Sequence, residues 1–160
     1  MRWSRGEALV ERLLAEGRLQ KVTGSAADGT DWVERARRTL QTAQGIADDP
    51  DSAFILSYDA ARHACTAVLA HQGLRPTTAG GHYVVEEVLR AQFGAAFREF
   101  GALRRRRNEI EYPMRPGDDV EQAEAEAAIA TTERLIDAVV GVNHGAQYLG
   151  LITRTPSPWT

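Results

Sequence analysis

Between Phe54 and Gln72 the chain places Phe54, Tyr58, Ala61, Cys65, Val68 and Gln72 three or four residues apart. That spacing returns to one side of a helix with 3.6 residues per turn. A strand, whose faces alternate every second residue, cannot collect it. Both ends are marked. Asp49 offers a side-chain cap, and Pro50 suits the first helical position, where its missing N–H is not needed. Gly73 tolerates the left-handed conformation that stops a helix. A long helix over residues 50–72 is therefore the best-defined element of the sequence.

The same period recurs on either side. Leu9, Val10, Leu13 and Leu14 predict a helix over residues 4–19, followed by a loop over 23–29. Val33, Ala36, Leu40, Ala43 and Ala47 predict a second helix that starts near Thr30 or Asp31, with Asp31 and Glu34 resembling a capping box. A connection over 74–81, with Pro76 and the Gly80-Gly81 pair, leads to short helices over 82–93 and 95–111, separated by Gly94 and stopped before Pro113. Pro116, Gly117 and Asp118 form a turn. A last long helix over 119–142 then carries Ala125, Ile129, Thr132, Ile136 and Val139 on one face. Alternating β-branched runs are absent, so the expected fold is all-α, an antiparallel bundle of four to five main helices plus a short N-terminal helix. The expected division is an N-terminal helix and loop over 1–29, a bundle over 30–144 and a tail over 145–160. The helix over 82–93 is expected as an insertion, and the N-terminal helix either packs on the bundle or forms part of a partner surface.

At 160 residues the chain fits one domain that buries roughly 70% of its unfolded surface, so it needs no disulfide or metal for stability. A single cysteine, Cys65, excludes an internal disulfide and multi-cysteine metal sites, and it fits a reducing cytoplasm. No histidine pair has i, i+4 spacing and no Glu-x-x-His occurs, so neither metal nor cofactor is expected. The longest apolar run, 64–70, is far below the ~20 residues that cross a bilayer. The first residues lack the apolar core of a signal peptide. The expectation is a cytoplasmic protein without a membrane association. Its net charge of −3 argues against coating nucleic acid through overall charge, but leaves room for a local basic patch.

Such a patch exists. Arg104-Arg105-Arg106-Arg107-Asn108 precedes Glu109-Ile110-Glu111-Tyr112-Pro113. Phe100, Leu103 and Ile110 mark the buried side of that helix. Arg107 lies seven after Phe100, four after Leu103 and three before Ile110, so its direction falls inside the stripe. A guanidinium facing inward must find a carboxylate, carbonyl groups or an external anion. Asp59 or a glutamate of the last helix is one candidate partner. Arg105 and Arg106 read as a solvated face. Arg104 is one turn before Asn108, and Asn108 one turn before Tyr112, so arginine, amide and phenol converge at one end of the helix.

These residues resemble a known family. A bundle with Arg-Asn-x-x-x-His near the end of its penultimate helix is the mark of the HEPN family. Arg107-Asn108 followed by Tyr112 is similar to that motif, and Ala36–Ala47, Tyr58–His63 and Leu69–Pro76 are similar to the family's preceding helices and loop. The resemblance covers about residues 30–142. It implies a homodimer with two arginine motifs at a shared cleft, and binding of RNA or nucleotide phosphate by Arg104 and Arg107. It also implies a toxin–antitoxin or phage-defence setting, often beside a nucleotidyltransferase-like antitoxin. Many members are metal-independent ribonucleases in which the arginine stabilises phosphate and the histidine moves a proton, so the catalytic set carried over is Arg107, Asn108 and Tyr112.

Tyr112 stands where that histidine is expected. A phenol of reference pKa about 10 is ionised in roughly one molecule in a thousand at pH 7, a deficit worth about 4 kcal/mol. Phosphate binding suffers no such deficit, because a guanidinium fork holds an oxyanion without titrating. The expected function is therefore a phosphate-binding HEPN-like dimer with a degenerate site. An active ribonuclease toxin and a purely structural interaction module are the alternatives. His63 reads either as a substitute proton carrier or as a structural histidine. His71 reads as a helix-end residue, His82, which follows Gly80-Gly81 at a helix start, as an ordinary turn or an anion-binding nest, His144 as a loop, Cys65 as a core residue, and Trp3, Trp32 and Trp159 as packing.

Overall fold

The computed structural model describes residues 5–145. Six α-helices dominate the described residues: α1 (Glu7–Ala15), α2 (Thr30–Gly45), α3 (Pro50–His71), α4 (Tyr83–Phe93), α5 (Arg98–Glu111) and α6 (Gln122–Gly145). Two strands, β1 (Leu19–Lys21) and β2 (Leu74–Pro76), pair antiparallel with Gln20 opposite Arg75. The fold is an all-α bundle, as expected. The expected tail, Trp3 and Trp159 lie outside the described residues.

The bundle is organised around α3. Asp49 caps it by accepting from the Ser52 backbone N–H at 3.5 Å, with Pro50 in its first turn, and Gly73 ends it at φ 75°. Its alanines, with Tyr58, Cys65, Val68 and Leu69, are buried, and it lies against α2, α4, α5 and α6. Small side chains let these neighbours approach closely on every side. Burial pushes the Cys65 thiol far up, so it remains a protonated core residue.

Polar groups along α3 are answered partly within the helix, where the Ser57 and Thr66 hydroxyls donate to the Ala53 and Arg62 carbonyls at 2.8 and 2.7 Å, and partly by other elements. Thr132 of α6 donates to the Ser57 carbonyl at 3.1 Å. Gln72 and Gln92 of α4 exchange amide hydrogen bonds at 2.8 and 2.5 Å, and Gln72 also donates to the Val68 carbonyl at 3.1 Å. The helix expected as an insertion therefore belongs to the core: Val84, Val85, Val88 and Leu89 of α4 are all buried in it.

Several local expectations need correction. The first helix ends at Ala15 rather than 19, because Gly17 turns left-handed at φ 70° and releases Leu19 into β1. Val10 and Leu13 are nevertheless buried in the common core, so α1 packs on the bundle. The capping box at Asp31 does not form. Gly29 is the N-cap, and Asp28 takes the first-turn role by accepting from the Thr30 hydroxyl at 2.7 Å and its backbone N–H at 2.9 Å, which holds its carboxyl below the usual range. Residues 94–97 form a 3₁₀ turn before α5, and His144, read as loop, falls within α6.

The glutamine pair gives a stability test. Gln92→Met leaves the buried Gln72 amide without its partner, an expected loss of about 1–3 kcal/mol in urea denaturation. Adding Gln72→Met should recover most of that loss, because both polar groups are then gone.

Candidate functional site

The four consecutive arginines of α5 meet four different surroundings. Arg104 places its Nε 2.5 Å from Glu86 of α4 and its guanidinium 5.0 Å from the Tyr83 ring centre. Glu86 is buried and also holds Arg90 at 2.8 Å and Arg105 at 4.0 Å. Gly101 makes room for it: a Cβ there would overlap the Glu86 carboxylate. Beside this clip lies a cavity of about 320 Å³ with Leu89, Phe97 and Phe100 at its wall and Arg90, Arg98 and Arg105 on its polar side.

Arg105 is exposed, as its position on the helix suggests. Arg106 is not the solvated residue expected. It is held by Glu124 of α6 at 2.6 and 3.2 Å, with Glu109 at 3.2 Å and Asp118 at 3.7 Å, and the Glu124 hydrogen bonds raise its pKa further. The reason is the turn over 113–119, which brings the start of α6 back along this side of α5.

Arg107 turns inward, as its position in the apolar stripe predicts. Its side chain is 21% exposed, and its guanidinium lies 5.8 Å from the ring centre of Tyr58. Its acid is neither Asp59 nor a glutamate of α6 but Glu111, one turn along its own helix at 2.8 Å. Asn108 accepts weakly from it at 3.4 Å, and Arg107 Nε is buried with no hydrogen-bond partner. Tyr112 ends α5 with its N–H on the Asn108 carbonyl at 2.9 Å, and its ring is 74% exposed. Among the described residues no hydrogen bond joins its phenol to Arg104 or Arg107. The structure thus brings Arg107 and Asn108 together, gives Arg104 to Glu86, and leaves Tyr112 at the rim.

Beneath Arg107 lies a polar layer that the sequence pattern does not reveal. Tyr58 stacks on Phe100 at 5.8 Å, and its hydroxyl is 3.2 Å from Nδ1 of His82, the residue before α4. Burial pushes the Tyr58 phenol up to about 12, against the pull of Arg62 and Arg107. His82 is held below its ordinary value by partial burial and then by the charges of Arg62 and Arg107. His63, under the Trp32 ring at 5.6 Å, is pushed down to about 4 by burial and by Arg62 and Arg35. It is therefore a neutral core histidine at pH 7. Arg62 follows Tyr58 by four residues, one helical turn, and that spacing is the one sequence signal for it. Nothing local in sequence ties His82 to residue 58.

A family model described as HEPN domain matches residues 30–143 of the chain. No curated protein and no solved structure matches it. Among the described residues no helix is long and apolar enough to cross a membrane.

His63 supplies a pH test. Its folded value of about 4 lies below the ordinary 6.5, so between those values the unfolded chain binds a proton that the folded chain refuses. Its contribution is complete above about pH 6.5 and is lost as pH falls towards 4. Thermal melts should show His63→Asn losing less stability than the parent across this window, by about 2–3 kcal/mol.

Proposed function

The chain belongs to the HEPN family, and from that premise we propose that it binds RNA or nucleotide phosphate at the end of α5 without cleaving it. Arg107 is the principal anion-binding residue, with Asn108 beside it and Arg104 and Tyr112 at the margin. One observation carries the reading: Arg107 is turned inward and fixed over Tyr58, yet its Nε has no acceptor. A guanidinium has donors only, and a phosphate oxygen supplies what is missing. Tyr83 and Tyr112, both exposed aromatic side chains, flank the arginines and offer faces on which bases can stack.

Tyr112 also favours binding over turnover. Its side chain faces solvent, and among the described residues its phenol makes no hydrogen bond to Arg104 or Arg107. The proposal extends to a homodimer that pairs two such sites, and to a toxin–antitoxin or defence setting with a nucleotidyltransferase-like partner. Family membership is the support for these.

Calorimetry of the full chain with hexauridylate should show binding that weakens as salt rises, because protein cations displace counterions from phosphate. Arg107→Ala should weaken it by about tenfold or more, the loss of a charge-assisted contact worth about 1.5–3 kcal/mol. The RNA should remain intact on a denaturing gel. Absence of heat with the parent protein, or equal affinity in Arg107→Ala, defeats the proposal. RNA fragments that disappear with Arg107→Ala would instead establish a ribonuclease.

A further inference from the structure

Among the described residues, three buried side-chain nitrogens lack a hydrogen-bond partner: Arg62 Nε, His63 Nδ1 and Arg107 Nε. Buried donors and acceptors are normally satisfied, and each one left open costs about 1–3 kcal/mol. Two of them border Tyr58, while His63 faces Trp32 of α2. Arg62 and His63 are consecutive on α3, one turn beyond Tyr58, and Arg107 lies over the Tyr58 ring. His82 joins the group through its 3.2 Å contact with the Tyr58 hydroxyl.

We propose that Arg62, His82 and Arg107 form one oxyanion pocket between α3, the start of α4 and α5, which takes a single phosphodiester group of the RNA, with His82 as its titrating member. This rests on the phosphate-binding reading of Arg107 and extends it to two residues outside the α5 motif. The acids already present leave the Nε donors open. Asp59 stands 3.8 Å from Arg62 Nε, beyond hydrogen-bond range, and Glu111 takes only the NH1 edge of Arg107. His82 is the N-cap of α4 and makes no side-chain cap, so the first-turn N–H groups of α4 add partial positive charge on the same side.

His82 is faced by Tyr58, Asp59, Arg62 and His63 from α3, and by Arg107 and Glu111 from α5. The arginines favour its neutral form in the empty pocket. A bound phosphate reverses the local balance and favours the imidazolium, so binding and protonation of His82 reinforce one another. Hexauridylate is the suitable probe, because neither its diesters nor its bases titrate between about pH 5.5 and about pH 8.

The expected results come from calorimetry on the full chain. Arg62→Gln should weaken hexauridylate binding by about tenfold while leaving the melting temperature unchanged or higher, since it removes a half-buried guanidinium whose Nε has no hydrogen-bond acceptor. Arg62→Lys, which keeps the charge but loses the fork, should weaken binding as well and serves if the glutamine variant does not fold. The parent should bind several-fold more tightly at about pH 5.5 than at about pH 8, and His82→Asn should abolish most of that difference. If the parent and Arg107→Ala behave as proposed above but Arg62→Gln binds like the parent, the pocket is wrong and the α5 site stands. The pocket is equally wrong if both Arg62 variants only lower the melting temperature, or if the pH dependence survives in His82→Asn. If the parent binds no hexauridylate, both readings fall.

Discussion

A helix enclosed by neighbours on all sides must have its polar groups answered, and in α3 the Ser57 and Thr66 hydroxyls donate within the helix while other groups are answered from outside it. The Ser57 carbonyl is answered by α6, Gln72 by α4, and Tyr58 by the residue that opens α4. Each of these contacts fixes the position of one neighbour relative to α3. The exceptions, Arg62 and His63, are the places where no element among the described residues supplies the missing group. Arg62 lies one turn beyond Tyr58, whose ring lies under Arg107, while His63 faces Trp32 of α2. The core and the candidate site are thus not separate regions. The arginine end of α5 packs directly over Tyr58 of the central helix.

Glu86 has a complementary role. It draws Arg104, Arg90 and Arg105 toward one buried carboxylate and so clips α5 to α4. Glu124 does the same for Arg106 on the α6 side. Arg104 and Arg106 are thereby committed to acids on other helices, while Arg107 pairs only within its own. Glu111 takes the NH1 edge of Arg107 at 2.8 Å, and Arg107 Nε is left without an acceptor.

Much of the helical framework is legible in the sequence. Asp49-Pro50, Gly73 and Gly94 mark real boundaries, and the apolar periods of α2, α3 and α6 match the buried faces. Arg107's inward direction follows from its position among Phe100, Leu103 and Ile110. What sequence cannot convey are choices made by distant residues. The strands are three residues long and have no alternation to detect. Arg106 reads as solvated because only the folded chain returns Glu124 to it. Arg107's acid is ambiguous in sequence because a neighbour at i+4 and one on another helix satisfy the same requirement. His82 reads in sequence only as a turn or a nest after two glycines, because its partner Tyr58 lies 24 residues away.

The short β ribbon has a consequence for how the molecule can be divided. It joins residues 19–21 to the segment that leaves α3, and the junction is reinforced by Thr77, whose hydroxyl and backbone N–H donate to the Gly17 and Arg18 carbonyls. Arg18 in turn pairs with Glu87 of α4 at 3.1 Å. The segment before α2 thus acts as a strap that holds α4 against the end of α3, and His82 sits at the near end of α4. Excising a minimal bundle along the boundary of the family match would cut that strap and loosen the histidine's footing, even with every residue of the arginine motif retained.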